Sequence, residues 1–143
     1  MFTIGAFGII FNEKGYVLLS HRRDRDRWNL PGGGMESHEL PNEAVIREVK
    51  EETGLDVVTE RLVGVFRKAD MNDLVFAFVC RVVGGQLEAT DEADQHQYFS
   101  LSEIPGNIPP MHFERIQDSL RVTGQPIFRR QTAPSSQVII GKV

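Results

Sequence analysis

The segment 31–55 constrains the fold of this chain more than any other part of its sequence. It opens with Pro31 and three consecutive glycines, which cannot lie inside a helix and which let the backbone approach a ligand or ion closely. We predict a helix over 40–53, because Pro41 suits the first helical position and Gly54 supplies a left-handed stop. The apolar residues of this helix recur at helical spacing and predict that it packs on a sheet: Val45, Ile46 and Val49.

Three glutamates lie along one edge of the predicted helix, beside its apolar stripe. Projected at about 100° per residue, Glu48 and Glu52 lie roughly 40° apart, and Glu51 lies on the side of Arg47. Like charges at this spacing destabilise a helix by roughly 0.2–0.5 kcal/mol per pair. A hard divalent cation offsets that repulsion, because carboxylate oxygens are its preferred ligands. A solvated acidic face would have the same pattern, so the helix alone leaves both interpretations open.

The glutamates stand at fixed distances from the glycine turn. The pattern is Gly33-x5-Glu39-x7-Arg47-Glu48-Val49-x-Glu51-Glu52-x-Gly54-Leu55. At every fixed position it resembles the signature of the Nudix hydrolases, G-x5-E-x7-R-E-U-x-E-E-x-G-U, in which U is a bulky aliphatic residue. A looser resemblance covers the N-terminal strands and the segments 28–33 and 98–105. His38 is a departure, because many family members have Gly immediately before the first Glu.

The resemblance implies an α/β fold of the α+β type, a Nudix α/β/α sandwich whose mixed central β-sheet carries the helix of the motif. The hydrophobic pattern predicts strands that fit this fold, at 3–11, 16–20, 57–69, 74–83 and 97–101. The first two of these strands are predicted to form a hairpin. The strand at 74–83 is apolar on both faces, which predicts a central position in the sheet. A last helix is expected at about 111–122.

The family's metal site can be transferred to this chain by motif position. The resemblance implies that Glu51 and Glu52 are the main Mg²⁺ ligands and that Glu48 is a third ligand or the group that activates water. The carbonyl of Gly33, or of Gly32 before it, is expected to complete the coordination. Mn²⁺ is expected to substitute for Mg²⁺.

Further residues are assigned supporting roles by the same resemblance. Arg47 is expected to orient the carboxylates through salt bridges, and Glu39 to anchor the loop and the helix without binding the metal. Glu92, in the acidic stretch 88–94, is the candidate for a further metal ligand or base, with a solvated loop as the alternative. Arg22 and Trp28 are candidate substrate-binding residues, although Trp28 could equally belong to the core.

The expected reaction is Mg²⁺-dependent hydrolysis of a phosphoanhydride bond in a nucleoside diphosphate linked to another group, X. A (deoxy)nucleoside triphosphate, including an oxidised one, is the default substrate. The Pro and Tyr that mark some ADP-ribose and dinucleoside polyphosphate hydrolases are replaced by Ala69, Asp70, Met71 and Asn72. Two alternatives remain: a non-catalytic nucleotide-binding or regulatory module, and an isomerase acting on a prenyl diphosphate.

Composition limits the class of protein further. The net charge of −4 argues against a general nucleic-acid binder, and no apolar run is long enough to span a bilayer. The single cysteine, Cys80, excludes an internal disulfide and predicts a reducing, cytoplasmic location. We therefore expect one domain over 1–143, a monomer or homodimer acting on a small-molecule diphosphate, with no membrane or nucleic-acid polymer as partner. The tail at about 125–143 is expected to be disordered or to add a strand to this chain or to a neighbouring one.

Overall fold

The computed structural model describes residues 1–121 and 124–132. In these residues the elements follow one another as β1 (Thr3–Ile10), β2 (Val17–Arg22), β3 (Trp28–Asn29), β4 (Gly32–Gly34), α1 (Pro41–Thr53), β5 (Leu55–Lys68), β6 (Asp73–Gly85), β7 (Ala93–Phe99), a 3₁₀ turn (Leu101–Glu103), α2 (Pro110–Ser119) and β8 (Ile127–Gln131).

The strands form two sheets. The larger has the order β4-β1-β6-β5-β8 and is mixed: β1 runs parallel to β6 and β5 parallel to β8, while the other neighbours are antiparallel. The smaller sheet is antiparallel, with the order β3-β2-β7. β6 therefore lies at the centre of the larger sheet, as its two apolar faces predict.

The two helices cover opposite faces of the larger sheet. Alternate residues of β1 divide between two core clusters: Ile10 packs in the cluster that contains Val45 and Val49 of α1, and Ile9 packs in the cluster that contains Ile116 of α2. This arrangement confirms the predicted α/β/α sandwich with a mixed central sheet. Cys80 is a free, buried residue of the α1 cluster, where burial raises the pKa of its thiol to about 12.

Helix α1 begins and ends where the sequence predicts. The Glu43 carboxylate accepts a hydrogen bond from the Leu40 N–H at 2.8 Å, and Pro41 needs no donor in the first turn. Gly54 closes the helix in the left-handed region at φ 86°, and its N–H donates to the Lys50 carbonyl. The position of the glutamates along α1 is thus set by local sequence at both ends.

One sequence-based expectation about the elements was wrong, and two others had wrong bounds. β1 and β2 do not form a hairpin: apart from an isolated bridge between Phe11 and Val17, they pair with other strands. β1 is hydrogen-bonded to β4 at one edge and to β6 at the other. β2 therefore pairs with β3 and β7 in the second sheet. α2 ends at Ser119 and leaves Leu120 48% exposed, and the strand expected at 97–101 already begins at Ala93.

The described part of the C-terminal tail forms β8, which pairs in parallel with β5. Of the two expectations for the tail, an added strand in this chain's own sheet is therefore the one observed at 127–131. The tail segment at 137–140 lies outside the described part of the chain. Among the described residues, no helix is long and apolar enough to cross a membrane.

Candidate active site

Three carboxylates from two parts of the chain meet at one point. Glu48 and Glu52 lie one turn apart on α1, and Glu92 immediately precedes β7. One carboxylate oxygen from each lies within 4.8 Å of the other two. Glu48 is buried, Glu52 is half-buried and Glu92 is exposed, so the group lies at the boundary between the core and solvent. Hard cations prefer such a set of oxygen ligands, and these three residues could therefore hold a divalent ion.

The pKa values of Glu48 and Glu52 reflect their burial first and the nearby carboxylates second. Burial, followed by repulsion from Glu92, raises the pKa of Glu52 to about 8, against the opposing hydrogen bond from the Gly32 backbone. Burial also raises the pKa of Glu48, while the adjacent Arg47 acts in the opposite direction. Both shifts mean that burial first, and the neighbouring carboxylates second, disfavour the ionised forms. A bound divalent cation would stabilise the ionised forms, and the three convergent carboxylates supply the oxygen donors that it needs.

Arg47 connects the helix to the loop that precedes it. Its Nε and Nη2 donate to both carboxylate oxygens of Glu39, at 2.6 and 2.9 Å, and Nη2 also donates to the Gly34 carbonyl at 3.0 Å. Nη1 donates to Glu48 and to Glu51, each at 3.0 Å. This paired geometry lowers the pKa of Glu39 to about 2. Arg47 is therefore placed to orient Glu48, and Glu39 contacts Arg47 rather than the group of three carboxylates.

Glu51 lies outside that group. Its side chain is 53% exposed and accepts a hydrogen bond from Arg47. The helical projection already indicates this difference between the two glutamates, because it places Glu51 on the side of Arg47 and Glu52 nearer to the buried face of α1. The structure thus brings together Glu48, Glu52 and Glu92 and leaves the predicted ligand Glu51 at the rim.

The glycine turn closes against the carboxylates. β4 pairs with β1 so that Gly33 lies opposite Ala6, and a Cβ on Gly33 would stand 2.5 Å from Oε2 of Glu48. Only a residue without a side chain fits there unless the carboxylate moves. The close approach also brings the Gly33 backbone next to the acidic group, as the sequence predicted, while coordination by its carbonyl stays a prediction.

A cavity of about 530 Å³ opens beside the carboxylates. Arg22 and Arg23 contribute positive charge to its wall, opposite in sign to the five acidic residues that line it: Asp24, Glu48, Glu52, Asp91 and Glu92. Arg22 donates to Asp24 at 2.7 and 2.6 Å. The predicted substrate residue Arg22 therefore does face the cavity that the metal-ligating candidates line.

Trp28 has a different environment. It packs against the α2 core cluster, and its ring makes edge-to-face contacts with His21 and Phe99 at centroid distances of 5.1 and 5.0 Å. It is not among the residues that line the described cavity. This placement favours the alternative in which Trp28 belongs to the core.

Sequence reasoning missed the buried part of the cavity wall. Phe7 of β1, Asn29 of β3, Leu30 and His112 of α2 line it together. The rings of Phe7 and His112 lie edge to face with centroids 5.0 Å apart, and the Leu30 N–H donates to Nδ1 of His112 at 3.0 Å. These residues come from distant parts of the chain and share no spacing, so no signal in the sequence could have grouped them.

Known proteins share both the sequence and the fold. A family model described as the NUDIX domain matches residues 1–118. The chain is 34% identical over 119 residues to a putative 8-oxo-dGTP diphosphatase of Bacillus subtilis (strain 168), covering 82% of this chain and 80% of that protein. It is 40% identical over 129 residues to diphosphoinositol polyphosphate phosphohydrolase 2 of Pongo abelii, covering 86% and 71%. The solved structure of an ADP-ribose pyrophosphatase from Streptococcus suis matches with a TM-score of 0.74 at 27% identity, over 90% of this chain and 98% of that one. With the motif at 33–55, the sandwich fold and these matches in agreement, the chain belongs to the Nudix hydrolase family and is an enzyme of that family.

Proposed function

We propose that this enzyme hydrolyses a phosphoanhydride bond in a nucleoside diphosphate linked to another group, with Mg²⁺ as its metal. The observation that carries the proposal is the convergence of Glu48, Glu52 and Glu92 at a cavity whose wall also contains Arg22 and Arg23. The carboxylates suit the cation and the arginines suit phosphate oxygens. A pyrophosphate needs both, because it carries several negative charges that repel an attacking water.

The residues of the site have separate proposed roles, which follow from their positions. Glu48 and Glu52 would hold the metal, with Glu51 next to them on Arg47, and the Gly33 carbonyl is a further candidate ligand. A divalent cation in this place would neutralise phosphate charge and lower the pKa of a coordinated water. The chain itself supplies orientation, since the Arg47–Glu39 pair fixes the carboxylates relative to the glycine turn.

We assign the base to Glu92 rather than to Glu48. Oε1 of Glu48 already accepts a hydrogen bond from Arg47, whereas Glu92 is exposed and lies on a separate segment. If Glu92 removes the proton from water, Glu92→Gln should lower kcat and leave KM little changed. Wild-type kinetics in Glu92→Gln, together with lost activity in Glu48→Gln, would transfer this role to α1.

The charge of the cavity favours a nucleotide over a polyphosphorylated ring. Among its described lining residues, two arginines face five carboxylates, of which Glu48 and Glu52 would be engaged by the proposed metal. Several further phosphates would meet little compensating charge. The buried part of the wall, with Phe7 and Leu30, instead suits an uncharged group. A (deoxy)nucleoside triphosphate, including an oxidised one, therefore stays the default, and a nucleotide sugar such as ADP-ribose also fits.

The deciding experiment is hydrolysis of a nucleotide panel with Mg²⁺, with product analysis, by the wild type and by Glu52→Gln. The substitution removes an anionic oxygen while preserving shape, and we expect a rate loss of about tenfold or more, which is about 1.4 kcal/mol of barrier. Glu60→Gln is the matched control, because Glu60 is a surface residue paired with Arg81 at 3.2 Å and should leave the rate unchanged.

Each alternative has its own outcome in this panel. Binding of nucleotides without hydrolysis by the wild type would support a non-catalytic module, although Arg47, Glu51 and Glu52 are all present. Isomer formation from a prenyl diphosphate without phosphate release would support an isomerase. Full activity in Glu52→Gln would overturn the metal assignment.

A further inference from the structure

His112 has a fixed orientation in the buried part of the cavity wall. It is only 9% exposed, and its Nδ1 accepts a hydrogen bond from the Leu30 N–H at 3.0 Å. A backbone N–H can only donate, so Nδ1 must be the unprotonated nitrogen. The neutral ring consequently carries its proton on Nε2.

The surroundings keep this ring neutral. Burial is the main cause that lowers the pKa of His112 well below its ordinary value, and the positive charges of Arg115, Arg27 and Arg22 act in the same direction. His112 therefore offers the cavity a hydrogen-bond donor without a positive charge. This distinguishes it from Arg22 and Arg23, which suit phosphate.

Asn29 and His112 each bring a polar side-chain atom to the cavity wall that can bond to a ligand. The buried Oδ1 of Asn29 has no hydrogen-bond partner among the described residues, and Nδ1, not Nε2, is the ring nitrogen of His112 that is bonded to Leu30. Asn29 and His112 both line the cavity, and Leu30, which follows Asn29, is bonded to His112. An unpaired buried acceptor such as Oδ1 of Asn29 costs about 1–3 kcal/mol, so a ligand that donates to it gains affinity and a ligand that does not is disfavoured.

We propose that His112 is a specificity-determining residue, whose Nε2–H donates to an acceptor on a nucleobase while Asn29 Oδ1 accepts an N–H from the same base. The inference rests on the proposed function, since it assigns the nucleoside end of that substrate to this part of the cavity. The ring of Phe7, edge to face with His112, adds an apolar surface for a planar group. A phosphate group does not fit here, because it carries no N–H for Asn29 and meets no net charge on His112.

Two substitutions at position 112 test the two ring nitrogens separately: the Nε2–H that would donate to the ligand, and the Nδ1 that accepts from Leu30. In His112→Asn the amide oxygen can replace Nδ1 and keep the bond to Leu30, but nothing replaces the Nε2–H. In His112→Gln the amide N–H can replace the Nε2–H, but the bond to Leu30 is lost. Melting curves of both variants establish that they fold.

The probes are GMP, AMP, CMP and UMP, titrated by calorimetry without a divalent ion, with inorganic phosphate as the probe for the phosphate end. We expect at least one monophosphate to bind, and His112→Asn to weaken its affinity about tenfold, the value of one buried hydrogen bond. His112→Gln should stay within about threefold of the wild type, and phosphate binding should be unchanged in both. Equal affinities in the two variants, or no effect of His112→Asn, would overturn the proposal.

A measurement on the wild type keeps the proposal testable if either variant fails to fold. The imidazole ¹H–¹⁵N spectrum should show His112 protonated at Nε2, and the Nε2 signal should shift when the monophosphate is added. No shift with any of the four probes would overturn the proposal. If His112→Asn hydrolyses the nucleotide with an unchanged KM, this inference alone is refuted. If the Nε2 signal of the wild type shifts but no nucleotide is hydrolysed, the proposed function alone is refuted.

Discussion

His38 is the one non-glycine residue with a left-handed backbone among the described residues, at φ 69°. It is exposed and lies within the turn 36–39, in which the Glu39 N–H donates to the Glu36 carbonyl. A side chain in this region costs about 1–2 kcal/mol, and glycine would avoid that cost. Glycine also makes the unfolded chain more flexible, which offsets part of this gain. We therefore expect His38→Gly to raise the free energy of unfolding by about 0.5–1 kcal/mol in urea denaturation.

His38→Ala is the control for that prediction. It removes the imidazole and keeps the left-handed strain, so it should not be more stable than the wild type. If the imidazole itself stabilised the loop, both variants would lose stability together, and strain would not be the reason for the departure at this position.

At the scale of single residues, the sequence correctly predicts how the site residues of α1 are placed around that helix. Spacing alone places Glu48 and Glu52 on one edge of α1 and Arg47 beside Glu51, since helical geometry is local. It could not show that Glu92 completes the group, which depends on how β7 pairs with β2. The choice of Glu92 came from family resemblance, and the observed geometry is consistent with it.

At the scale of elements, β4 and α1 approach each other closely at Gly33. In Gly33→Ala the new methyl group would displace the carboxylate of Glu48, whose Oε2 lies 2.5 Å from the Cβ position. We expect the Mg²⁺ concentration for half-maximal activity to rise by about tenfold, of order 1.4 kcal/mol of metal binding. A Cβ on Gly34 meets no atom within 4 Å in the described residues, so Gly34→Ala should leave this concentration unchanged. Equal responses of the two variants would contradict the steric explanation.

His21 connects β2 to two neighbouring segments through its charge. Its Nε2 and Nδ1 lie 2.8 and 2.9 Å from carboxylate oxygens of Asp26 and Asp94, and these hydrogen bonds raise the pKa of the ring. Because both partners accept, the bonds need a protonated histidine. The stabilisation is then fully present below the unfolded pKa near 6.5 and is lost as pH rises through the higher folded value.

Comparison of the wild type with His21→Asn between pH 5.5 and 8.5 tests this sign. The wild type should be more stable at the acid end by about 0.5 kcal/mol, a small value because Asp26 is 87% exposed. The difference should shrink as pH rises. A difference that stays constant with pH would show that packing against Trp28, rather than charge, is what His21 contributes.

The elements that sequence predicted well are those with local signals. Pro41 and Gly54 mark the ends of α1, and apolar runs mark β5 and β6. The hairpin between β1 and β2 was wrong because adjacency along the chain favours it, whereas the parallel pairing of β1 with β6 joins residues about 70 positions apart. Pairing of that kind is decided by the packing of whole layers and has no local sequence signal.

At the scale of the whole molecule, Gln131 ties the C-terminal strand to the wall of the cavity. Its Oε1 accepts from Nε and Nη2 of Arg115, at 3.3 and 3.0 Å, and its amide donates to the Met111 carbonyl. Arg115 is 4% exposed and lies over the ring of Phe7, which lines the cavity. β8 thus supplies the hydrogen-bond acceptor for a buried charge behind the site.

Gln131→Leu should therefore destabilise the protein far more than an ordinary substitution in an edge strand. It leaves the guanidinium of Arg115 without a described acceptor, and we expect a loss of about 3 kcal/mol in the free energy of unfolding. In the double variant with Arg115→Met, the loss should be smaller than the sum of the single losses by more than about 1 kcal/mol, because the uncompensated charge is gone. Phe128→Ser in the same strand is the control: Phe128 is 81% exposed, so its effect should stay within about 0.5 kcal/mol. Additive losses in the double variant would mean that Gln131 contributes only through strand pairing, and β8 would then not support the cavity through Arg115.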